Sequence, residues 1–239
     1  ESIRWTLESA KQGNPHAQFN LGNMYRFGDG LEMDLNESFS WFYKAALQDQ
    51  MYAQFSLGEM FYYGEGIGQD FLKAEEFFTK AAEMGSVEAQ LNLASMYLQG
   101  QGVNADEIKS IKWYLSAAQK GHEYAQNKVG MFYFFGYGKI EINLSEAANW
   151  FKKAANQDNS DAQFMLGFMY HNGKGVEKSI INALSYYRRS ALQENTDAQY
   201  YLAIIYELGQ GVDIDISESQ KWYKMSCDNG HLDACKAIN

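Results

Sequence analysis

The sequence predicts an all-α fold: a right-handed α/α superhelix, a solenoid of tandem helix-turn-helix units. Three observations carry that expectation. Proline removes an amide donor and clashes with the preceding turn of a helix, and it occurs once in 239 residues, as Pro15. A block of 36 or 37 residues is copied along the chain. Within each copy the apolar and small residues recur at helical spacing.

The copies open on an Ala-Gln pair at Ala17, Ala53, Ala89, Ala125, Ala162 and Ala198, and Ala234-Cys235 begins a seventh. The expected organisation is one domain over 1–239, with repeats 17–52, 53–88, 89–124, 125–161, 162–197 and 198–233. Residues 1–16 read as half a unit, because Trp5, Ser9-Ala10 and Gly13 match the second helix of a repeat whose first helix is missing. Residues 234–239 start another unit. The chain begins at Glu1, not Met, and is expected to be cut from a longer protein.

Helix A comes first in each copy. Four and five residues after each opening Ala stands an aliphatic-small pair, such as Leu21-Gly22, Leu57-Gly58 or Leu202-Ala203, and eight after it an aromatic, from Tyr25 to Tyr206. Offsets zero, four and eight share one helix face, and the small residue admits a close neighbour. A Gly-x-Gly then follows at Gly28/Gly30, Gly64/Gly66, Gly100/Gly102, Gly136/Gly138, Gly173/Gly175 and Gly209/Gly211. A phosphate-binding loop needs a preceding strand and occurs once or twice. Six copies at one repeat position are turns.

Helix B starts beyond an aliphatic anchor (Leu31, Ile67, Val103, Val176, Val212) at an N-cap residue: Asp34, Asp70, Asp106, Asn143, Ser179 or Asp215. Glu37, Glu146 and Glu218 stand where capping-box partners would. A double aromatic follows, Trp41-Phe42 through Trp222-Tyr223, and then a small pair, Ala45-Ala46 through Ser226-Cys227. Gly85, Gly121 and Gly230 stop the helix, with Asp or Glu at that place in other copies. A lone unit of this size cannot repay its ordering entropy, so neighbouring units must share faces.

Composition narrows the function. The chain is 46% hydrophobic and 15% aromatic, ample for a core, and carries a net charge of −10 with no run of Lys or Arg. Such a surface repels nucleic acid and anionic membranes. No apolar run approaches the ~20 residues that span a bilayer, so direct membrane insertion is not expected. No Ser/His/Asp, HExxH or dinucleotide-binding context is present, which leaves no catalytic residue, metal ligand or cofactor to name. His16, His122 and His231 read as turn or cap residues, and His171 as a surface residue of helix A. The triplets Asn36-Glu37-Ser38 and Asn143-Leu144-Ser145 fall at helix starts and read as chance matches to a glycosylation signal.

The string A-Q-x-x-L-G-x-x-Y-x-x-G-x-G-V-x-x-D, followed by W-Y/F-x-x-A-A-x-x-G, resembles the Sel-1-like repeat family. That family is a relative of tetratricopeptide repeats with a longer, glycine-marked turn. Residues Ala94–Gly121 show it best, and the fourth copy, with one inserted residue, departs most. The resemblance implies a scaffold for protein complexes, of the kind found in regulators of membrane-protein degradation and in exported bacterial proteins acting on host or rival cells. It implies a periplasmic or secreted setting over a cytoplasmic one, and brings no shared catalytic residues. A cysteine-rich subgroup carries a disulfide in each repeat at the spacing of Cys227 and Cys235. Here a bridge and two buried free thiols both remain open.

In tetratricopeptide-like stacks, offsets two, three, six, nine and ten of helix A face the inner, concave groove. Large apolar groups crowd those offsets here. The candidate partner-binding residues are Tyr62, Tyr63, Leu98, Met131, Phe134, Phe135, Phe164, Phe168, His171, Tyr200, Tyr201 and Ile204, centred on the fourth to sixth repeats. The regular aromatics at offset two also fit packing between repeats, whereas offsets nine and ten vary as a partner-reading surface would. The expected function is a non-catalytic scaffold binding a protein or peptide segment on the concave face, with a basic or amphipathic partner. One alternative is an immunity or secretion-accessory protein that binds a toxin or an apparatus component. The other is a hydrolase of cell-wall or β-lactam type.

Overall fold

The computed structural model describes residues 2–238. Among these, fourteen helices follow one another: α1 (Ser2–Lys11), α2 (Pro15–Phe27), α3 (Leu35–Ala46), α4 (Met51–Tyr63), α5 (Phe71–Met84), α6 (Val87–Gln99), α7 (Glu107–Gln119), α8 (Glu123–Phe135), α9 (Leu144–Ala155), α10 (Ser160–Asn172), α11 (Ile180–Ala191), α12 (Thr196–Leu208), α13 (Ile216–Asp228) and α14 (Leu232–Ala237). Even-numbered helices are the A helices and odd-numbered ones the B helices. No strand occurs among the described residues. The fold is an α-solenoid of helical hairpins in tandem. Its packing divides the chain into two compact units, Glu1–Ala117 and Ala118–Asn239.

Each A helix starts two residues before its Ala-Gln pair. Asn14, Gln50, Ser86, Asn159 and Asn195 cap the starts by accepting from the amides of Ala17, Ala53, Ala89, Ala162 and Ala198. The Gln of the pair is buried and has its own task. Its Nε2 donates back to a last-turn carbonyl of the preceding B helix: Gln54 to Ala46 at 2.7 Å, Gln90 to Ala82 at 3.0 Å, Gln199 to Ala191 at 3.1 Å. Each of these carbonyls also takes the backbone amide three residues on, so the Gln supplies a second bond that ties the end of a B helix to the next hairpin.

The two glycines of each turn do different work. Gly64, at φ 74°, closes α4 in the left-handed conformation and donates to Met60. Gly66 is the contact between hairpins, because a Cβ there would overlap the Leu35 side chain of the preceding repeat. Inside a hairpin the small residue at offset five sits under the inner aromatic of helix B, so that a Cβ on Gly58 would stand 2.5 Å from the Phe78 ring. Phe42, Phe78, Phe151 and Tyr187 are fully buried by this approach.

All six predicted N-caps of the B helices accept from first-turn amides. The capping-box expectation for Glu37, Glu146 and Glu218 is corrected. The cap amides of Asp34, Asn143 and Asp215 donate instead to the carbonyls of Tyr25, Tyr133 and Tyr206, because the chain doubles back onto the end of helix A. Glu37 takes the Trp41 indole N–H instead, and Glu218 pairs with Lys221.

Candidate functional site

The candidate residues lie along the A helices, and the structure separates them into three rows. The row at offset two rests on the hairpin's own helix B. Phe19, Phe55, Phe164 and Tyr200 stand 5.7, 5.7, 5.9 and 5.7 Å from the rings of Phe42, Phe78, Tyr187 and Tyr223. These side chains are half-buried. They are the outer layer of the core and still present one edge of each ring.

In the row at offset nine, Arg26, Tyr62, Phe134 and His171 are paired within the chain, each with offset twelve of the following repeat. In the first unit the Arg26 guanidinium binds Glu65 at 2.7 Å and Glu59 at 2.9 Å. The Tyr62 hydroxyl donates to Gln101 at 2.7 Å. In the second unit Lys174 Nζ lies 5.7 Å from the centre of the Phe134 ring, and Gln210 sits beside His171. At these four positions the variation is matched between neighbouring repeats, and Glu207 takes the Tyr223 hydroxyl of its own hairpin at 2.7 Å. Sequence reading missed the pairing, although the complementary residues stand at a fixed spacing. Leu98 occupies the same offset and is half-buried.

The row at offset ten is the wet one. Tyr63 and Phe135 are 63% and 62% exposed, and Phe27 and Leu208 share the place at 70% and 58%.

In the second unit these rows merge into a continuous aromatic path. Phe135 meets Phe134 edge-on at 4.9 Å, Phe134 meets Phe168 at 6.3 Å, and Phe168 meets Tyr201 at 6.2 Å. Tyr201 stands 5.7 Å from Phe164 and 6.1 Å from Tyr200. Met131 packs half-buried against the core cluster around Phe151, and Ile204 against the one around Tyr223. Burial pushes the Tyr201 phenol above its ordinary pKa, with Asp197 and Tyr200 adding to the shift. Burial lowers the His171 pKa, Lys178 acts in the same direction, and Gln210 opposes them. The imidazole is thus held toward its neutral form. An acidic row runs alongside at the starts of the A helices. Asp161 takes an N–H of Asn195 at 3.2 Å, and Asp197 faces His231 Nε2 at 3.4 Å.

The remaining histidines and the cysteines serve the frame. His16 is exposed in the first turn of α2, and His122 is the N-cap residue of α8. His231 caps α14 by accepting from Ala234 at 3.2 Å, and it stacks on Tyr200 at 4.4 Å. Cys227 and Cys235 are joined in a disulfide across the α13–α14 turn, with Cα atoms 4.7 Å apart. Among the described residues no three metal-ligating side chains converge, and no helix is long and apolar enough to cross a membrane.

Stacked hairpins with a glycine-marked turn and a buried Ala-Gln at each junction define an α-solenoid scaffold. The chain belongs to the Sel1 repeat family, which matches residues 15–50, 52–86, 87–122, 123–159, 160–195 and 196–231. Among solved structures it is similar to a protective antigen present in uropathogenic Escherichia coli strains, which displays an SLR fold. The identity is 37% and the TM-score 0.95, over 99% of this chain and 50% of the antigen. The chain thus spans half the length of that protein. A Sel1 repeat protein from Oxalobacter formigenes matches at 30% identity and a TM-score of 0.70, covering 90% of this chain and 86% of that one. Comparison with curated proteins finds no match.

Proposed function

We propose that this chain is a non-catalytic interaction scaffold that binds a protein or peptide segment on the A-helix face of its second unit. The observation that carries the reading is the aromatic path from Phe135 through Phe134 and Phe168 to Tyr201 and Tyr200. Half-sunk rings are rigid anchors that lose little conformational freedom on contact, and clustered aromatics are the usual centres of binding energy. Exposed Asp161, Asp197 and Glu207 beside the path favour a segment that is basic as well as apolar. The Cys227–Cys235 bridge supports an oxidising, exported setting. The similar Escherichia coli protein, being a protective antigen, supports the same setting.

The test uses two exposed residues of the offset-ten row, Phe135 at the start of the path and Leu208 on the last A helix beside it. Phe134→Ala would also disturb packing on Phe151, 6.4 Å away, and so would mix folding with binding. The pair Phe135→Ala and Leu208→Ala removes side chains that are mostly in water. The expected outcome is at least a tenfold loss of partner, read by affinity capture from the source cells and mass spectrometry, with the melting temperature within about 2 °C of the parent. Undiminished capture by the double variant would take the binding surface off this face.

A further inference from the structure

We propose that the cleft between α1 and α3 in the first unit is a second binding site, one that takes an alkylammonium group such as a lysine side chain. It goes beyond the aromatic path and does not rest on it. The cleft has a volume of about 690 Å³ and is lined by Leu7, Lys11, Tyr25, Asp34, Glu37 and Trp41 among others. Glu32, Asp34 and Glu37 bring three carboxylates to the lining against one lysine, Lys11, which is exposed. Tyr25 and Trp41 are half-buried there.

Other repeats show what the same place holds. In the second, third and sixth the chain lays its own cation on the offset-eight ring. Lys73 Nζ stands 5.1 Å from the centre of the Phe61 ring and 3.8 Å from Asp70 Oδ2. Lys109 Nζ stands 4.6 Å from the centre of the Tyr97 ring and 3.3 Å from its hydroxyl, and the cleft there shrinks to about 370 Å³. In the sixth repeat the lysine position is Glu218, and the cation comes from the preceding B helix instead. Arg188 donates to the Tyr206 hydroxyl, with its guanidinium 5.8 Å from the ring centre. The first repeat keeps the ring, Tyr25, and the capping acid, Asp34, but carries neither cation. Glu37 occupies the position of Lys73 and Lys109, and Leu7 that of Arg188.

The lining selects the guest. An anion would meet three carboxylates, and a neutral apolar group would leave them unanswered. A cation is drawn both to carboxylates and to the face of an aromatic ring. Lys44 already lies 3.9 Å from the centre of the Trp41 ring, so Tyr25 is the ring offered to a guest. Asp34 Oδ1 holds the amides of Asn36 and Glu37 at 2.9 and 3.0 Å, and Glu37 Oε2 takes the Trp41 indole N–H at 3.1 Å. Both carboxylates are thereby fixed in place beside the cleft. The two repeats that follow use an ammonium at this place, and Leu7 and Leu31 give apolar surface for the methylenes of its stem.

The probe is 1,5-diaminopentane, titrated into the full chain and followed by the indole ¹H–¹⁵N resonance of Trp41. The comparison is 1-pentanol, with the same carbon chain and no charge, and Nα-acetyl-lysine amide separates a protein lysine from a free amine. At least one of the two amines should move the Trp41 resonance saturably and bind about tenfold more tightly than 1-pentanol. The tighter of the two names the source. Glu37→Lys copies the second and third repeats and should fill the cleft from within. It should weaken the amines about tenfold, with the melting temperature within about 2 °C of the parent because Lys is native at this place in other repeats. Glu37→Gln keeps an acceptor for Trp41 and removes only the charge, and should weaken them about threefold. A silent Trp41 resonance with both amines overturns the site. So does a response to 1-pentanol equal to theirs, or unchanged amine affinity in Glu37→Lys. These readouts come from the first unit, so failure of this site and failure of the aromatic path are told apart.

Discussion

At the scale of single residues, repeat comparison exposes where one copy uses a costlier residue than another. The stop after helix B is glycine at Gly13, Gly85, Gly121 and Gly230, with φ between 93° and 107°. Asp49, Asp158 and Glu194 stand at the same place with φ of 54°, 61° and 64°. A left-handed side-chain-bearing residue costs about 1–2 kcal/mol, part of which glycine gives back through the freedom of the unfolded chain. Asp158 has compensation in an ion pair with Arg189 at 2.9 Å, whereas Glu194 is exposed. Glu194→Gly should therefore stabilise the protein by ~0.5–1 kcal/mol, seen as a higher urea midpoint with unchanged slope. The stop itself was legible, because glycine recurs and the acids align with it. The job of the Gln in each Ala-Gln pair was not legible. Its acceptor belongs to the preceding hairpin, and a pattern of apolar offsets carries no information about which carbonyl the end of that hairpin turns toward it.

At the scale of the helical hairpin, legibility follows range. The B-helix caps, the turns and the close A–B contact depend on residues within one copy, and spacing alone placed them, whereas the caps of the A helices, Asn14, Gln50, Ser86, Asn159 and Asn195, were not read. The capping boxes were lost because the returning chain supplies a backbone acceptor that local sequence does not display. The candidate face was half legible for the same reason. Which offsets are apolar can be counted, but the partner of Tyr62 or Phe134 sits one repeat later, at Gln101 or Lys174. Copies that use Gly at offset five and those that use Ala differ in how closely the hairpin can shut. Gly58→Ala would set a Cβ 2.5 Å from the ring of Phe78, itself fully buried and unable to retreat. Overpacking of this kind costs about 1–3 kcal/mol, more than the helix-propensity gain of about 1 kcal/mol from Gly to Ala. The variant should melt at lower temperature, whereas Ala94→Gly, at the same offset in the next repeat, should lose only the propensity term. A Gly58→Ala protein as stable as its parent would mean that the aromatic is free to shift.

At the scale of the whole molecule, a tandem stack keeps its energetics local, because each hairpin contacts only its sequence neighbours. The disulfide tests this. Helix α14 has six residues, too few to persist alone, and it is held by burial of Ala234, the His231 cap on its first turn and the bridge from Cys227 to Cys235. Closing so short a loop is worth about 2–3 kcal/mol in the unfolded chain. Reduction should therefore release α14 and the end of α13 and strip His231 from the Tyr200 ring. The helices α8 to α10, which belong to earlier hairpins, should be left as they are. Hydrogen exchange reads this directly. After reduction the amides from Asn229 to Ile238 should lose protection, while those of α8 and α10 keep theirs to within a factor of about two. Uniform loss of protection across the second unit would show that its hairpins melt as one block and that the terminal bridge governs the aromatic path. Loss confined to the end would place the bridge's influence on Tyr200 alone, the last ring of the path, and leave Phe134 and Phe168 available to a partner in either redox state.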